Sequence, residues 1–176
     1  MPANDTSASN GKKPSYKSRK KNDSLENFGH LQPQAVELEQ AVLGALMIER
    51  DAYYQVSEIL RPESFYDNRH QIIYEAIRRL NLEEKPVDIL TVTEALRNTN
   101  QLEEAGGPFY ITQLSGMVAS SAHIEYHARI IAQKATARAL ISYTSGIQTK
   151  AFDATTDIDV LMQEAEGKLF ELSQTN

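Results

Sequence analysis

The chain has 176 residues, a length that suits one or two globular domains with a sizeable core. Hydrophobic residues make up 41% and charged residues 24% of the sequence, as in ordinary soluble proteins. No apolar run approaches the roughly 18 residues of a membrane span or forms a signal peptide, and the chain has no cysteine for disulfides or thiolate metal sites, so a cytoplasmic protein is expected.

The net charge of −6 is unevenly distributed along the chain. Residues 1–30 carry a charge of +3 and residues 31–176 a charge of −9. The polar, proline-containing composition of residues 1–30 predicts a disordered basic tail, and weak contact with DNA or RNA is the alternative. An acidic body is a poor surface for nucleic acid, because affinity there comes largely from neutralising phosphates.

Residues 31–118 predict a compact head of short helices. Apolar residues recur there at spacings of three and four, and polar capping residues or prolines separate the runs. The segment 89–93 also fits a strand, which ranks second because the helical pattern continues to Arg97. We expect helices over 34–48, from Asp51 to Pro62, and from Asp67, Asp88 and Pro108, with a single turn over 101–105.

Residues 119–176 predict a long helical hairpin. One helix covers His123 to Ala151 after a cap at Ser120 or Ser121, and a second covers Asp157 to Gln174 after a cap at Thr156. A helix of about 25 residues is about 38 Å long. The second helix is shorter and cannot cover both apolar rows of the first, so the remaining surface needs another partner.

That remaining surface supplies the candidate functional residues. They are expected to divide between the seam of the hairpin itself and an interface between subunits, with either row able to take either role. The set comprises Ile130, Ala137, Leu140, Ile141, Ile158, Leu161, Met162, Ala165 and Leu169.

Catalytic and cofactor motifs are missing from the sequence. Gly167-Lys168 is followed by leucine and lacks the earlier glycine of a phosphate-binding loop, and no serine stands in a GxSxG turn. His123 and His127 share a helix face and are the best zinc candidates, but no third ligand is evident, so a solvated helix start is favoured over a metal-dependent enzyme. His70 beside a core stripe is interpreted as a structural histidine with satisfied hydrogen bonds. No catalytic, cofactor-binding or metal residue is therefore assigned.

Four motifs in register resemble a known family. They are EQAVLGALM at 39–47, Phe65-Tyr66 followed by His70-Gln71-Ile72, PVDILTV at 86–92, and Gly106-Gly107 with Tyr110 and Leu114. Their order and spacing, from about Pro33 to Leu172, resemble the N-terminal domain of the bacterial replicative DNA helicase of the DnaB type.

The resemblance implies an all-α domain with a compact head followed by a hairpin. It also implies that a C-terminal ATPase domain, which would bind ATP and magnesium, lies outside this chain, so the chain alone is expected to be inactive. Implied partners are further copies of the chain, pairing through hairpins in a hexameric ring, the primase C-terminal domain and a helicase loader, while single-stranded DNA is bound mainly by the absent domain. A stand-alone helical adaptor or loader-like protein is the alternative.

Overall fold

The computed structural model describes residues 31–117 and 123–174, which form helices and connecting turns without a β-strand. The all-α prediction is therefore confirmed for this part of the chain. The helices are α1 (Val36–Ile48), α2 (Ala52–Val56), α3 (Asn68–Leu82), α4 (Ile89–Asn98), α5 (Gly107–Gly116), α6 (Ile124–Ala151) and α7 (Ile158–Gln174), with a 3-10 turn at Pro62–Ser64 between α2 and α3.

The central element of the head is α1, which packs against each of the five helices from α2 to α6. Its sequence is apolar almost all round, as expected of a helix with neighbours on every side. Val42 and Leu43 are fully buried and Leu46 is nearly so. The core around them includes Ile73 and Ile77 of α3 and continues into the first turns of α6.

Side-chain caps fix the beginnings of α3 and α4 where the sequence predicts them. The carboxylate of Asp67 accepts a hydrogen bond from the backbone N–H of Arg69, and that of Asp88 accepts from Leu90 and Thr91. Asp51 precedes α2, but its side chain makes no capping hydrogen bond. The helix predicted from Asp51 to Pro62 is much shorter than expected, since α2 spans only five residues and residues 57–59 form a turn after it.

The strand alternative for residues 89–93 is not adopted, because the segment is the first half of α4. The expected single turn after it is present, since the Ala105 N–H donates to the carbonyl oxygen of Gln101 and residues 102–106 form a turn. Gly106 then has a φ of 99°, and a Cβ at that position would lie 2.8 Å from Cδ1 of Tyr110. Glycine at 106 therefore permits both the left-handed backbone and the close packing of Tyr110 at the start of α5.

The hairpin begins inside the head and ends outside it. Ile124, Ala128 and Ile131 of α6 are buried in the head core, whereas Leu161 is the only buried residue of α7. The predicted caps at Ser120 and Ser121 lie outside the described residues. The α7 cap is Asp157 rather than Thr156, because the Asp157 carboxylate accepts from the backbone N–H groups of Asp159 and Val160.

No helix in the described residues combines the length and the apolar character that crossing a membrane requires.

Candidate interaction surface

The seam between α6 and α7 is narrow. Leu161 is 4% exposed, and the half-buried Ala165 and Leu172 follow it on the same stripe of α7. Across the seam, the Tyr143 hydroxyl donates to the carbonyl oxygen of Glu164 at 2.9 Å. Lys150 Nζ also donates to Glu164 Oε2 at 2.7 Å. These contacts hold the two helices side by side, but they use only one stripe of each.

A second apolar row of α7 faces solvent. Ile158, Met162 and Leu169 are 58%, 57% and 48% exposed. At about 100° of rotation per residue, this row lies roughly 60° from the seam stripe. It therefore flanks the seam and is not covered by the residues that the structure describes.

The neighbouring surface of α6 extends this row. Leu140 is 41% exposed and Ala137 is half-buried. At about 100° per residue, Leu140 lies about 60° and Ala137 about 120° round α6 from the seam residue Tyr143. Met162 lies about 100° round α7 from Leu161, in the same sense of rotation. Because α6 and α7 run antiparallel, equal senses of rotation bring the two flanks to the same side of the hairpin. We call this surface, formed by Ala137, Leu140, Ile158, Met162 and Leu169, the hairpin face.

The other candidate residues lie elsewhere. Leu161 and Ala165 belong to the seam. Leu161 is therefore buried, while the next residue, Met162, is exposed on the hairpin face. Ile130 lies in the part of α6 that packs beside the head, between the buried residues Ala128 and Ile131. Ile141 is 40% exposed but lies far round α6 from the seam. Sequence periodicity alone did not distinguish seam positions from exposed positions, because every one of these residues is apolar.

Buried polar residues inside the head form a network that the sequence only partly indicated. His70 and Glu39 are buried, and His70 Nδ1 lies 2.7 Å from Glu39 Oε2. The Tyr110 hydroxyl lies 2.7 Å from His70 Nε2. Glu39 Oε1 also accepts from the backbone N–H of Tyr66 at 2.7 Å. This confirms His70 as a structural histidine with both ring nitrogens satisfied, while nothing in the sequence pattern identified Glu39 as its partner.

Arg138 is a functional candidate that sequence analysis missed. It lies on α6 between the buried and the exposed portions, and its guanidinium donates to carbonyl oxygens of Pro33 and Ser64 in the head. No motif marks it, because its partners are backbone groups distant in sequence.

The zinc candidates do not form a recognisable centre. His123 is exposed, and the half-buried His127 has its ring near that of Tyr126, with centroids 6.4 Å apart. Within residues 31–117 and 123–174, no three His, Cys, Asp or Glu side chains cluster in a way that could hold a metal ion.

A groove between α3 and α4 has a volume of about 570 Å³. Leu80, Pro86 and Leu90 line it, with charged residues of both signs at its edges. The groove combines this apolar surface with the hydroxyl groups of Thr91 and Thr99.

Comparison with known proteins relates this architecture to one family. The family model for the DnaB-like helicase N terminal domain matches residues 31–133. The replicative DNA helicase DnaB of Rhodothermus marinus is 49% identical over 151 residues, covering 86% of this chain and 16% of the relative. The DnaB of Geobacillus stearothermophilus is 43% identical over 142 residues, covering 81% of this chain and 31% of the relative. The chain thus spans less than a third of either relative.

Solved structures agree with this relationship. The crystal structure of the N-terminal domain of DnaB helicase from Mycobacterium tuberculosis matches with a TM-score of 0.75 and 31% identity, covering 80% of this chain and 99% of that one. A DnaB-like replicative helicase, from a structure that describes its interactions with primase, matches with a TM-score of 0.67 and 26% identity, covering 81% of this chain and 32% of that one.

Proposed function

Because this chain belongs to the DnaB-like helicase N-terminal domain family, we propose that it is the non-catalytic assembly and docking domain of a replicative DNA helicase. The relatives from Rhodothermus marinus and Geobacillus stearothermophilus are both replicative DNA helicases, which favours this function over a stand-alone adaptor. In this proposal the chain organises the protein, while the rest of the whole protein unwinds DNA.

The observation that supports an assembly role is the uncovered hairpin face. Ile158, Met162 and Leu169 expose about half of their area or more on one side of α7. Because each such side chain is already about half buried, covering it with a partner stabilises the complex by roughly 0.7–1.5 kcal/mol, half the value for a fully exposed side chain. A second copy of the same hairpin offers a matching face, so two copies related by a twofold axis would bury it reciprocally, over roughly 1,600 Å² in total.

Sedimentation equilibrium of the 176-residue chain tests this role. We expect reversible self-association that the double substitution Met162→Asp with Leu169→Asp weakens at least tenfold, since each buried aspartate would lack a partner. Leu161 is unsuitable for this test because its loss would damage the seam inside one hairpin.

The matched control is the substitution Val160→Asp. Val160 is 61% exposed, lies on the same helix, and is on the side of α7 opposite the hairpin face. Association that is equally strong in both folded variants would contradict the proposed surface, as would a wild-type chain that stays monomeric at millimolar concentration.

The proposal extends to partners of the whole protein. The domain would help to dock the C-terminal domain of primase, which is supported by the likeness to a DnaB-like helicase whose structure describes interactions with primase. ATP, magnesium and most of the single-stranded DNA contact would belong to an ATPase domain beyond this chain, in a hexameric cytoplasmic helicase that a loader protein places on DNA. The division into a basic tail (1–30), head (31–118) and hairpin (119–176) stays a prediction within this proposal.

Mixing the chain with the primase C-terminal domain from the same organism tests the docking role. Isothermal calorimetry should show saturable binding, and removing residues 1–30 should leave that binding unchanged. The absence of any heat at concentrations far above those in the cell would contradict docking by this domain alone.

A further inference from the structure

Arg138 lies at the place where the hairpin leaves the head. Residues of α6 before it, including Ala128 and Ile131, are buried in the head core. Residues after it, including Leu140 and Ile141, are about 40% exposed. After Arg138, α6 contacts α7, and none of its described side chains belongs to the buried head core. The angle between the hairpin and the head is therefore set by the contacts near Arg138.

The guanidinium of Arg138 joins α6 to two separate segments of the head. Nη1 donates to the carbonyl oxygen of Pro33 at 2.8 Å, and Nη2 donates to that of Ser64 at 2.7 Å. The guanidinium carbon also lies 5.5 Å from the centre of the Tyr66 ring. A planar fork can satisfy two carbonyl groups at once in a fixed geometry, which a lysine ammonium on a flexible stem cannot reproduce.

Arg138 is half-buried close to the buried carboxylate of Glu39. Burial lowers the pKa of the guanidinium, and the charge of Glu39 acts in the opposite sense. Glu39 is itself buried, accepts from the backbone N–H of Tyr66, and lies beside His70. Ser64, which supplies one of the two carbonyls, is two residues before Tyr66, whose N–H is held by Glu39.

The packing at the base of the hairpin is incomplete on one side. A cavity of about 350 Å³ lies between the segment from Glu58 to Ser64, α6 and the end of α7 at Leu172. Ala132, Ala135 and Ala139 line the α6 side of this cavity with short side chains. The hairpin thus has free space on one side of its base, and the Arg138 hydrogen bonds lie at the boundary.

We propose that Arg138 is a positioning residue that fixes the angle between the head and the hairpin through its two carbonyl contacts. The distance from Arg138 to the hairpin tip is about 20 Å at 1.5 Å per residue, so a swing of about 10° moves the tip by about 3–4 Å. This inference rests on the proposed function in one respect: a hairpin that pairs with a second copy transmits this angle to the spacing of the heads in the assembly.

Distance measurements between two spin labels test the angle directly. The chain has no cysteine, so labels can be placed at Asn98→Cys on the head and Gln148→Cys on the hairpin, diluted with unlabelled protein. We expect a narrow distance distribution in the wild-type background. We expect Arg138→Met and Arg138→Lys to broaden it or to shift its mean by about 2–3 Å or more, because residue 148 lies about 15 Å along α6 from Arg138.

Two controls separate positioning from general damage. Arg129→Met removes an arginine from the same helix whose ion pair with Glu125 is exposed, and it should leave the distribution unchanged. A second label pair, Gln148→Cys with Gln163→Cys, reports on the hairpin alone and should keep its distance in every variant.

A distribution that is unchanged in Arg138→Met, or that Arg138→Lys fully preserves, overturns the proposal, because the two directed hydrogen bonds are then unnecessary. Sedimentation of the same samples is read separately. Broadening in a chain that remains monomeric supports the positioning role and counts against assembly, whereas normal association with an unchanged angle counts against Arg138 alone.

Discussion

At the residue scale, the buried network of Glu39, His70 and Tyr110 shows how the head tolerates ionisable groups in its interior. A proton on His70 Nδ1 can be donated to Glu39, and Nε2 can accept from the Tyr110 hydroxyl. Gln40 Nε2 in turn donates to that hydroxyl at 3.3 Å. Polar atoms buried in this way stabilise a fold only when every one of them has a partner, and no described buried side chain lacks one.

Tyr110→Phe should therefore destabilise the head. It removes the partner of His70 Nε2 without changing the shape of the ring, and an unsatisfied buried group costs about 1–3 kcal/mol. Urea denaturation followed by circular dichroism measures the free energy of unfolding. Tyr126→Phe is the control, since Tyr126 is 66% exposed. Equal stability of the two variants would show that the network contributes nothing.

Asp67→Ala should lower the free energy of unfolding by about 1 kcal/mol, as is typical for loss of a helix cap. Asp51→Ala should have almost no effect, because Asp51 stands in the same position before α2 without a capping hydrogen bond. Denaturation of both variants at pH 7 makes the comparison, and a larger loss for Asp51 would contradict the structural assignment.

The contribution of Asp67 should also depend on pH in a defined direction. Its hydrogen bond with Arg69 lowers the pKa of the Asp67 carboxyl below the ordinary value. The stabilisation is then fully present above about pH 3.9, the ordinary pKa of aspartate, and is lost as pH falls through the lower pKa of the folded state. The stability difference between wild type and Asp67→Ala should shrink only in that acidic range.

At the element scale, α6 performs two different tasks along one unbroken helix. Its first turns complete the head core, and its later turns carry α7. In α7, adjacent residues separate the tasks again, since Leu161 is 4% exposed while Met162 is 57% exposed. Because this seam buries little apolar area, each seam residue contributes a large share of the free energy that keeps α7 packed on α6.

A comparison of Leu161→Ala with Leu169→Ala tests this separation within one helix. Leu161→Ala should lower the stability of the hairpin by about 2 kcal/mol, at the low end of the cost of truncating a buried leucine, because the seam is only partly enclosed. Leu169→Ala at dilute, monomeric concentration should cost far less, since Leu169 is already 48% exposed. Amide hydrogen exchange of α7 measures both, and similar exchange rates in the two variants would contradict the seam assignment.

At the scale of the whole molecule, charge favours protein contacts over DNA contacts. Residues 31–176 carry −9, and the basic residues of the tail are too few to reverse the overall sign. The described surface instead offers apolar area on the hairpin face and in the groove between α3 and α4. Both features suit binding between proteins.

We expect the chain to bind single-stranded DNA only at low salt, and a variant lacking residues 1–30 to lose that binding. Phosphate contacts account for non-specific affinity and weaken steeply as salt concentration rises. Fluorescence anisotropy of a labelled oligonucleotide measures this. Salt-resistant binding by residues 31–176 would mean that the acidic body has a DNA site of its own.

The sequence by itself determined the helical class, the caps at Asp67 and Asp88, and the existence of a hairpin with apolar surface to spare. Those features depend on periodicity and on hydrogen bonds between residues a few positions apart, which can be read from a short window. The same short range explains the cap error at Thr156, because Asp157 offers an equivalent local pattern one residue later.

Only the tertiary structure decided which residues meet across long separations. The partners of His70 are 31 and 40 residues away, and those of Arg138 are 105 and 74 residues away. It also decided that Leu161 faces inward and Met162 outward, since both apolar rows of α7 satisfy the helical pattern equally well. The physical reason is that burial is set by the neighbour a surface packs against, and that neighbour is fixed by the fold of the whole chain.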